Sequence, residues 1–306
     1  MIPQALGMSV EMVEGKGPVF LDPLASPAEF SRLNLSVDVK VELRYVLEAI
    51  TLTRMTLDGR VPLIGFAGAP WTLFTYMVAE KEPRVWLYKY RDECHALLDH
   101  LAHIIAEFLV AQVEAGAQLL QVFDSAAGEL TASLFREFAL PYLRKISMQV
   151  RSGLQNLGLE QVPLIVFAKG AHHAVCDLAD SGYDVVSLDW TMDAAEIRSQ
   201  LHDFFSQTHP ETYCCNNANS QSSCYSSHSQ DLPITLQGNL DPAALHAPYP
   251  VLEKKIRDMI DEFGESYRYI VNLGHGMWPS HDPEKVKFFL QTVKKISCAN
   301  CLPDSM

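Results

Sequence analysis

Positive charge is scarce in this chain. Lys and Arg number 24 against 37 Asp and Glu, a formal net charge of −13. An acidic surface repels phosphate backbones, which argues against general nucleic-acid binding. It also repels a polyanionic small molecule unless cations gather locally. No basic segment leads into a short apolar run at the start, so a secretory signal is not expected. The usual cofactor and nucleophile signatures are missing too. No Gly-x-Gly-x-x-Gly follows a strand, and there is no Walker loop, no Gly-x-Ser-x-Gly elbow and no His-Glu-x-x-His pair.

The seven cysteines form no framework. Without a secretory signal they read as reduced thiols in a cytosolic protein. Cys298-x-x-Cys301 has no second ligand pair nearby, which disfavours zinc. Long uncharged runs are few. The run at residues 61–79 reaches the length of a membrane span, but Pro62, Gly65, Gly68 and Pro70 would break such a helix. It reads instead as strand, turn and helix start inside a core.

What is present is apolar strand after apolar strand. Hydrophobic residues make up 48% and charged residues 20%, enough for a large core. Short apolar runs lie at residues 62–66, 118–123, 163–167, 185–189, 234–237 and 269–273. Runs of this kind suit strands buried on both faces of a parallel sheet. Helical segments separate them. Residues 91–115 place Leu97, Leu98, Leu101, Ile104, Ile105, Leu109 and Val113 on one 3.6-period face. Asp241-Pro242 and Asp282-Pro283 read as an N-cap followed by a first-turn proline, and Asp193-Ala-Ala-Glu196 as a capping box. Residues 8–20 read as a hairpin around Glu14-Gly-Lys-Gly17, and residues 36–57 as helical.

Six β/α units without a dinucleotide fingerprint predict an α/β fold of the TIM-type (β/α)8 barrel class, here missing about the first two strands. One barrel domain over residues 1–306 is expected. Residues 206–231, rich in Ser, Asn, Gln and Cys, read as a disordered insertion, and residues 296–306 as a polar C-terminal tail.

In a barrel the active site forms at the C-terminal ends of the strands. Those ends here carry Gly65-Phe-Ala-Gly-Ala-Pro-Trp-Thr-Leu-Phe-Thr-Tyr-Met77, Phe123-Asp-Ser-Ala-Ala-Gly128, Ala168-Lys-Gly-Ala-His-His173, Asp189-Trp-Thr191, Gln237-Gly-Asn-Leu-Asp241 and Asn272-Leu-Gly-His-Gly276. On spacing alone Tyr76 reads as a buried tyrosine with a satisfied hydroxyl. Ser125 reads equally as an N-cap or a site residue. His275, between two glycines, favours function. Lys169 reads as a partner of Asp189 or Asp124, and His172 and His173 as loop residues. No nucleophile arrangement emerges, and spacing alone stops at a barrel enzyme acting on a small molecule without an evident cofactor.

Several of these strings match one family. Pro3-Gln-Ala-Leu-Gly-Met8, Gly15-Lys-Gly-Pro18, Pro62 through Val78, Leu188-Asp-Trp-Thr191, Leu236-Gln-Gly-Asn-Leu-Asp-Pro242 and Asn272-Leu-Gly-His-Gly276 resemble uroporphyrinogen decarboxylase, from Pro3 to about Leu290. The resemblance implies a cytoplasmic β/α-barrel homodimer that binds neither nucleic acid nor membrane. It implies removal of carboxyl groups from the four acetate side chains of uroporphyrinogen III, giving coproporphyrinogen III, with no cofactor and no metal. By motif match, Tyr76, Ser125 and His275 carry over as substrate contacts, and Phe66 and Phe123 as apolar residues lining the cleft.

There are departures. The family's Arg-Gln-Ala-Gly-Arg-Tyr motif and the aspartate of Phe-Ser-Asp are not in the sequence, so no catalytic residue is identifiable. A glycine-rich loop is shortened to Ala79-Glu-Lys-Glu-Pro83. The chain alone is therefore expected to be inactive and poorly stable. Two alternatives remain: a barrel methyltransferase of the same superfamily, and a non-catalytic subunit that only dimerises.

Overall fold

The computed structural model describes residues 1–15, 17–79, 81–208, 233–264 and 268–300, the last three by backbone alone. The chain forms two compact units, Met1–Asp184 and Val185–Met306.

The first unit opens with an antiparallel hairpin, β1 (Val10–Val13) and β2 (Gly17–Phe20), with Val13 opposite Gly17. This is the predicted Gly-containing turn. Helix α1 (Arg44–Leu57) follows, then β3 (Ile64–Gly68), α2 (Pro70–Met77), α3 (Arg91–Glu114), β4 (Leu119–Asp124), α4 (Leu140–Asn156) and β5 (Leu164–Ala168). Strands β3, β4 and β5 pair in that order, all parallel. The uncharged run at residues 61–79 thus folds as strand, turn and helix, and Pro70 sits at the helix start, where its missing N–H costs nothing.

Helix α3 is long and apolar enough to cross a membrane by length and composition, yet 67% of its most apolar window is buried. Leu97, Leu98, Leu101, Ile104, Ile105 and Leu109 form its core face, as the spacing predicts. The same helix serves the sheet. Gln112, 2% exposed, accepts a hydrogen bond from Phe66 N (2.9 Å) and donates one to Phe66 O (3.1 Å). A side-chain amide thereby satisfies backbone groups of β3. Gly65 makes room for it, since a Cβ there would lie 2.7 Å from Gln112 Oε1.

The second unit repeats the pattern with β6 (Val185–Ser187), α5 (Ala194–Thr208), β7 (Thr235–Leu240), α6 (Tyr249–Phe263), β8 (Tyr269–Leu273) and α7 (Pro283–Asn300). Strands β6, β7 and β8 pair in order, again parallel. The predicted caps are present in part. Asp241 accepts from Ala243 N at 2.8 Å, and Asp282 accepts from Glu284 N at 2.9 Å. Asp193 accepts from Glu196 N at 2.9 Å, but Glu196 turns its carboxylate to Gln200 Nε2 (3.2 Å), so the box is half made.

Two expected boundaries move. Residues 206–208, expected in the insertion, continue α5, where Phe205 is buried. The rest of 206–231 lies outside the described residues. Residues 296–300, expected in the tail, continue α7, because Ile296 extends the buried face of Phe289 and Thr292. Residues 301–306 lie outside the described residues, as do Cys214, Cys215, Cys224 and Cys301 and the side chain of Cys298. Cys94 and Cys176 are free thiols, and burial pushes the Cys94 thiol up to about 12.

Candidate functional site

In the first unit the strand register sets three aromatic side chains side by side. Gly68 pairs with Phe123, and Phe123 with Phe167. Side chains alternate across a strand, so Phe66 and Gly68 share one face of β3 while Gly65 and Ala67 turn to the helix layer. Phe66 meets Phe123 edge-on with ring centroids 6.0 Å apart, and Phe123 meets Phe167 edge-on at 5.9 Å. Phe66 is 52% exposed. An apolar ledge of ring edges and faces therefore opens to solvent near the strand ends. A flat aromatic or macrocyclic ligand would find complementary contacts there.

Tyr76 lies in the last turn of α2. Spacing alone favoured a buried tyrosine; the residue is 49% exposed and stacks on Phe20 of β2 at 6.2 Å. Beside it a cavity of about 470 Å³ is lined by Thr75, Tyr76, Lys81, Arg84, Gly128 and Glu129, among others. Arg84 donates to Glu82 Oε2 at 2.5 Å and to the Glu129 carbonyl at 3.3 Å.

Ser125 is exposed at the end of β4. The N-cap alternative does not hold: the short 3-10 turn Ala127–Glu129 takes Ala126 as its N-cap, with no side-chain capping bond. The loop after Ser125 is crowded. A Cβ on Gly128 would lie 2.9 Å from Gly170 Cα and from the Lys169 carbonyl, so two glycines let the β4 and β5 loops cross. The suggested Lys169–Asp124 pair is not formed. Asp124 is fully buried, its Oδ1 accepts from Thr72 Oγ1 at 2.7 Å, and among the described residues its Oδ2 has no hydrogen-bond partner. Burial pushes this carboxyl up to about 7, against the pull of the Thr72 bonds and with a smaller push from Glu129. His172 and His173 lie in the 3-10 turn His172–Ala174, and His173 packs edge-on against Phe135 at 5.9 Å.

In the second unit His275 follows β8 and is half-buried, with its ring edge-on to Trp190 at 5.6 Å. Trp190 stands in the string after β6, so two of the strings singled out in the sequence meet. Gly274 makes the contact possible, since a Cβ there would overlap the Trp190 backbone. Gly274 N donates to the Leu240 carbonyl at 2.8 Å, which levels His275 with the end of β7. Below Trp190, Asn239 Nδ2 donates to the carbonyls of Asp189 (2.8 Å) and Met192 (2.7 Å). Asp189 in turn accepts from Thr191 N at 2.8 Å.

Sequence reasoning did not single out Trp190, Asn239 or Thr72 as parts of the site. Trp190 and Asn239 stand within quoted strand-end strings, which was the available signal. Thr72 stands in the same way within the string that ends at Met77, four residues before Tyr76. Among the described residues, no group of three or more His, Cys, Asp or Glu side chains is arranged to hold a metal ion.

Comparisons with known proteins fit these strings. The family model for uroporphyrinogen decarboxylase (URO-D) matches residues 1–296. The uroporphyrinogen decarboxylase of Mus musculus is 44% identical over 302 residues, covering 97% of this chain and 74% of that protein. Those of Homo sapiens (45%) and Salinibacter ruber (44%) cover 97% of this chain and 74% and 75% of their own lengths. Among solved structures, a methyltransferase from Methanosarcina mazei superposes with a TM-score of 0.69 at 20% identity, covering 96% of this chain and 77% of that one. A B12-independent methionine synthase from Shewanella sp. W3-18-1 does so with a TM-score of 0.54 at 10% identity, covering 96% and 75%. These structural likenesses show the fold class, parallel β/α units of the TIM-barrel kind. The family match and the relatives' identity show the rest: the chain belongs to the uroporphyrinogen decarboxylase family.

Proposed function

We propose that this chain serves the reaction of its family, binding uroporphyrinogen and removing carboxyl groups from its acetate side chains to give coproporphyrinogen, against the expectation of inactivity drawn from the absent Arg and Asp motifs. The single observation that carries the reading is the family match over residues 1–296. The geometry supports it. The Phe66–Phe123–Phe167 ledge offers apolar contact to a tetrapyrrole face or edge, and Tyr76 and Ser125 of the same unit offer polar atoms to its carboxylates.

Loss of carbon dioxide leaves an electron pair that needs a sink. A protonated pyrrole ring of the substrate serves, so the reaction asks the protein for orientation and electrostatics rather than for a cofactor. The phenol of Tyr76 and the hydroxyl of Ser125 act as hydrogen-bond donors that hold carboxylates in place, and the His275 imidazole contributes a third contact. The protein works as a homodimer in the cytosol. The methyltransferase alternative rests on a fold likeness at 20% identity, which carries no activity.

The test is anaerobic incubation of the purified chain with uroporphyrinogen, followed by chromatographic separation of the oxidised porphyrins. Appearance of products with seven to four carboxyl groups supports the reading. Porphyrin binding without product restricts the chain to the non-catalytic subunit alternative. Neither binding nor product refutes the proposal.

A further inference from the structure

The buried Asp124–Thr72 contact joins two elements that each carry a proposed substrate contact. Along β4, Leu120, Val122 and Asp124 share the buried face while Phe123 points to the aromatic ledge. Asp124 thus lies beneath the site rather than in it. Thr72 Oγ1 donates to Asp124 Oδ1 at 2.7 Å and accepts from Ala126 N at 3.2 Å. Two further bonds run in parallel. Trp71 Nε1 donates to the Ala126 carbonyl at 3.1 Å, and Ala69 N to the Phe123 carbonyl at 2.8 Å. Thr72 stands one helical turn before Tyr76 on α2, and Ser125 lies between Asp124 and Ala126. The hydroxyl of Thr72 has one proton, and the carboxyl fixes where it goes. That leaves the oxygen lone pairs turned to Ala126 N.

We propose that Asp124 is a positioning residue: through Thr72 it locks the helix that carries Tyr76 to the loop that carries Ser125. The inference rests on the proposed roles of those two side chains.

A bare buried oxygen is tolerable on a neutral acid and costly on a carboxylate. Among the described residues Asp124 Oδ2 has no hydrogen-bond partner, which fits a protonated group. Among the described residues, Thr72 of α2, Glu129 of the following turn and Tyr183 of the loop before β6, whose hydroxyl donates to the Leu143 carbonyl, act on it; Trp71 reaches it only through Ala126, whose carbonyl its Nε1 bonds while Thr72 holds the Ala126 N–H. Lys169 N donates to the Asp124 backbone carbonyl. Ionisation therefore meets no compensating cation among these partners; it tightens the Thr72 bond to Oδ1 and leaves Oδ2 as a bare charged oxygen, so the lock responds to the state of the carboxyl.

The test uses the full chain labelled with nitrogen-15 and follows the indole N–H of Trp71, assigned by its loss in Trp71→Phe. The expected result is a Trp71 signal that titrates with the Asp124 carboxyl in the wild type and stays flat with pH in Asp124→Asn. Uroporphyrin binding should weaken about tenfold in Thr72→Val, which keeps the shape and removes both hydroxyl bonds, and return in Thr72→Ser. A wild-type Trp71 signal that ignores pH, or a folded Thr72→Val chain that binds like wild type, overturns the proposal. Should Thr72→Val not fold, Asp124→Asn and the Trp71 signal decide alone. Should the wild type bind no porphyrin at all, the functional reading fails, and Trp71 still reports whether the lock exists.

Discussion

At the scale of the residue, buried polar groups set the chemistry, and Asp124 is the clearest case. An aspartate in the unfolded chain gives up its proton near 3.8, whereas the buried one holds it up to about 7. Between those values the native state binds more protons than the unfolded state, so stability falls as pH rises through that window. Below it both states are protonated and the penalty is absent; above it the penalty is complete. Chemical denaturation of wild type and Asp124→Asn across that range should show the wild-type curve falling and the variant lacking that slope. Parallel curves would place the proton elsewhere. Gly274 is a steric case. Its Cβ would overlap the Trp190 backbone, so Gly274→Ala should destabilise the second unit by about 1–3 kcal/mol, read as an earlier denaturation midpoint. Unchanged stability would mean that the Trp190 loop yields freely. Tyr76, Ser125 and His275 became candidates through the motif match; strand-end spacing alone favoured only His275. The role of Asp124 was not legible in the sequence, since nothing in Phe-Asp-Ser tells which of the two polar residues turns to the helix layer.

At the scale of the element, apolar runs predicted every parallel strand among the described residues of both units, with β8 matched at both ends and the other strand ends moved by at most three residues. The shifts have a common physical origin. A run such as Pro163-Leu-Ile-Val-Phe marks where side chains are buried, while pairing depends on which carbonyls meet a neighbour, and β5 spans Leu164–Ala168. Helices α5 and α7 outlast their expected limits because Phe205 and Ile296 carry their buried faces onward. Gln112 shows what periodicity could not supply. It lies on the apolar face of α3 as an apparent exception, yet both its amide atoms bond the backbone of Phe66. Gln112→Leu keeps the volume and leaves Phe66 N and O without that partner. The expected cost is about 1 kcal/mol, because water reaches this half-exposed residue in part. Amide exchange at Phe66 should accelerate while exchange within β5 stays protected. Equal acceleration at both would mean that Gln112 holds the whole unit rather than one strand.

At the scale of the whole molecule, charge works against the proposed substrate. Each uroporphyrinogen brings eight carboxylates to a chain of formal net charge −13. Approach is therefore uphill over distances longer than the screening length, about 10 Å at 0.1 M salt. Near the site the balance is close to even: the cavity beside Tyr76 holds Lys81 and Arg84 against Glu82 and Glu129, and Arg84 is already paired with Glu82. Short-range contacts from Tyr76, Ser125 and the aromatic ledge depend little on salt, whereas the long-range repulsion is screened by it. Raising ionic strength from about 0.01 M to about 0.15 M should then increase the association rate for uroporphyrin severalfold and leave its dissociation rate nearly unchanged. Stopped-flow quenching of tryptophan fluorescence measures both rates. A fall in the association rate with salt would mean that cations dominate the entrance, and it would move the search for carboxylate partners from the hydroxyls of Tyr76 and Ser125 to Lys81.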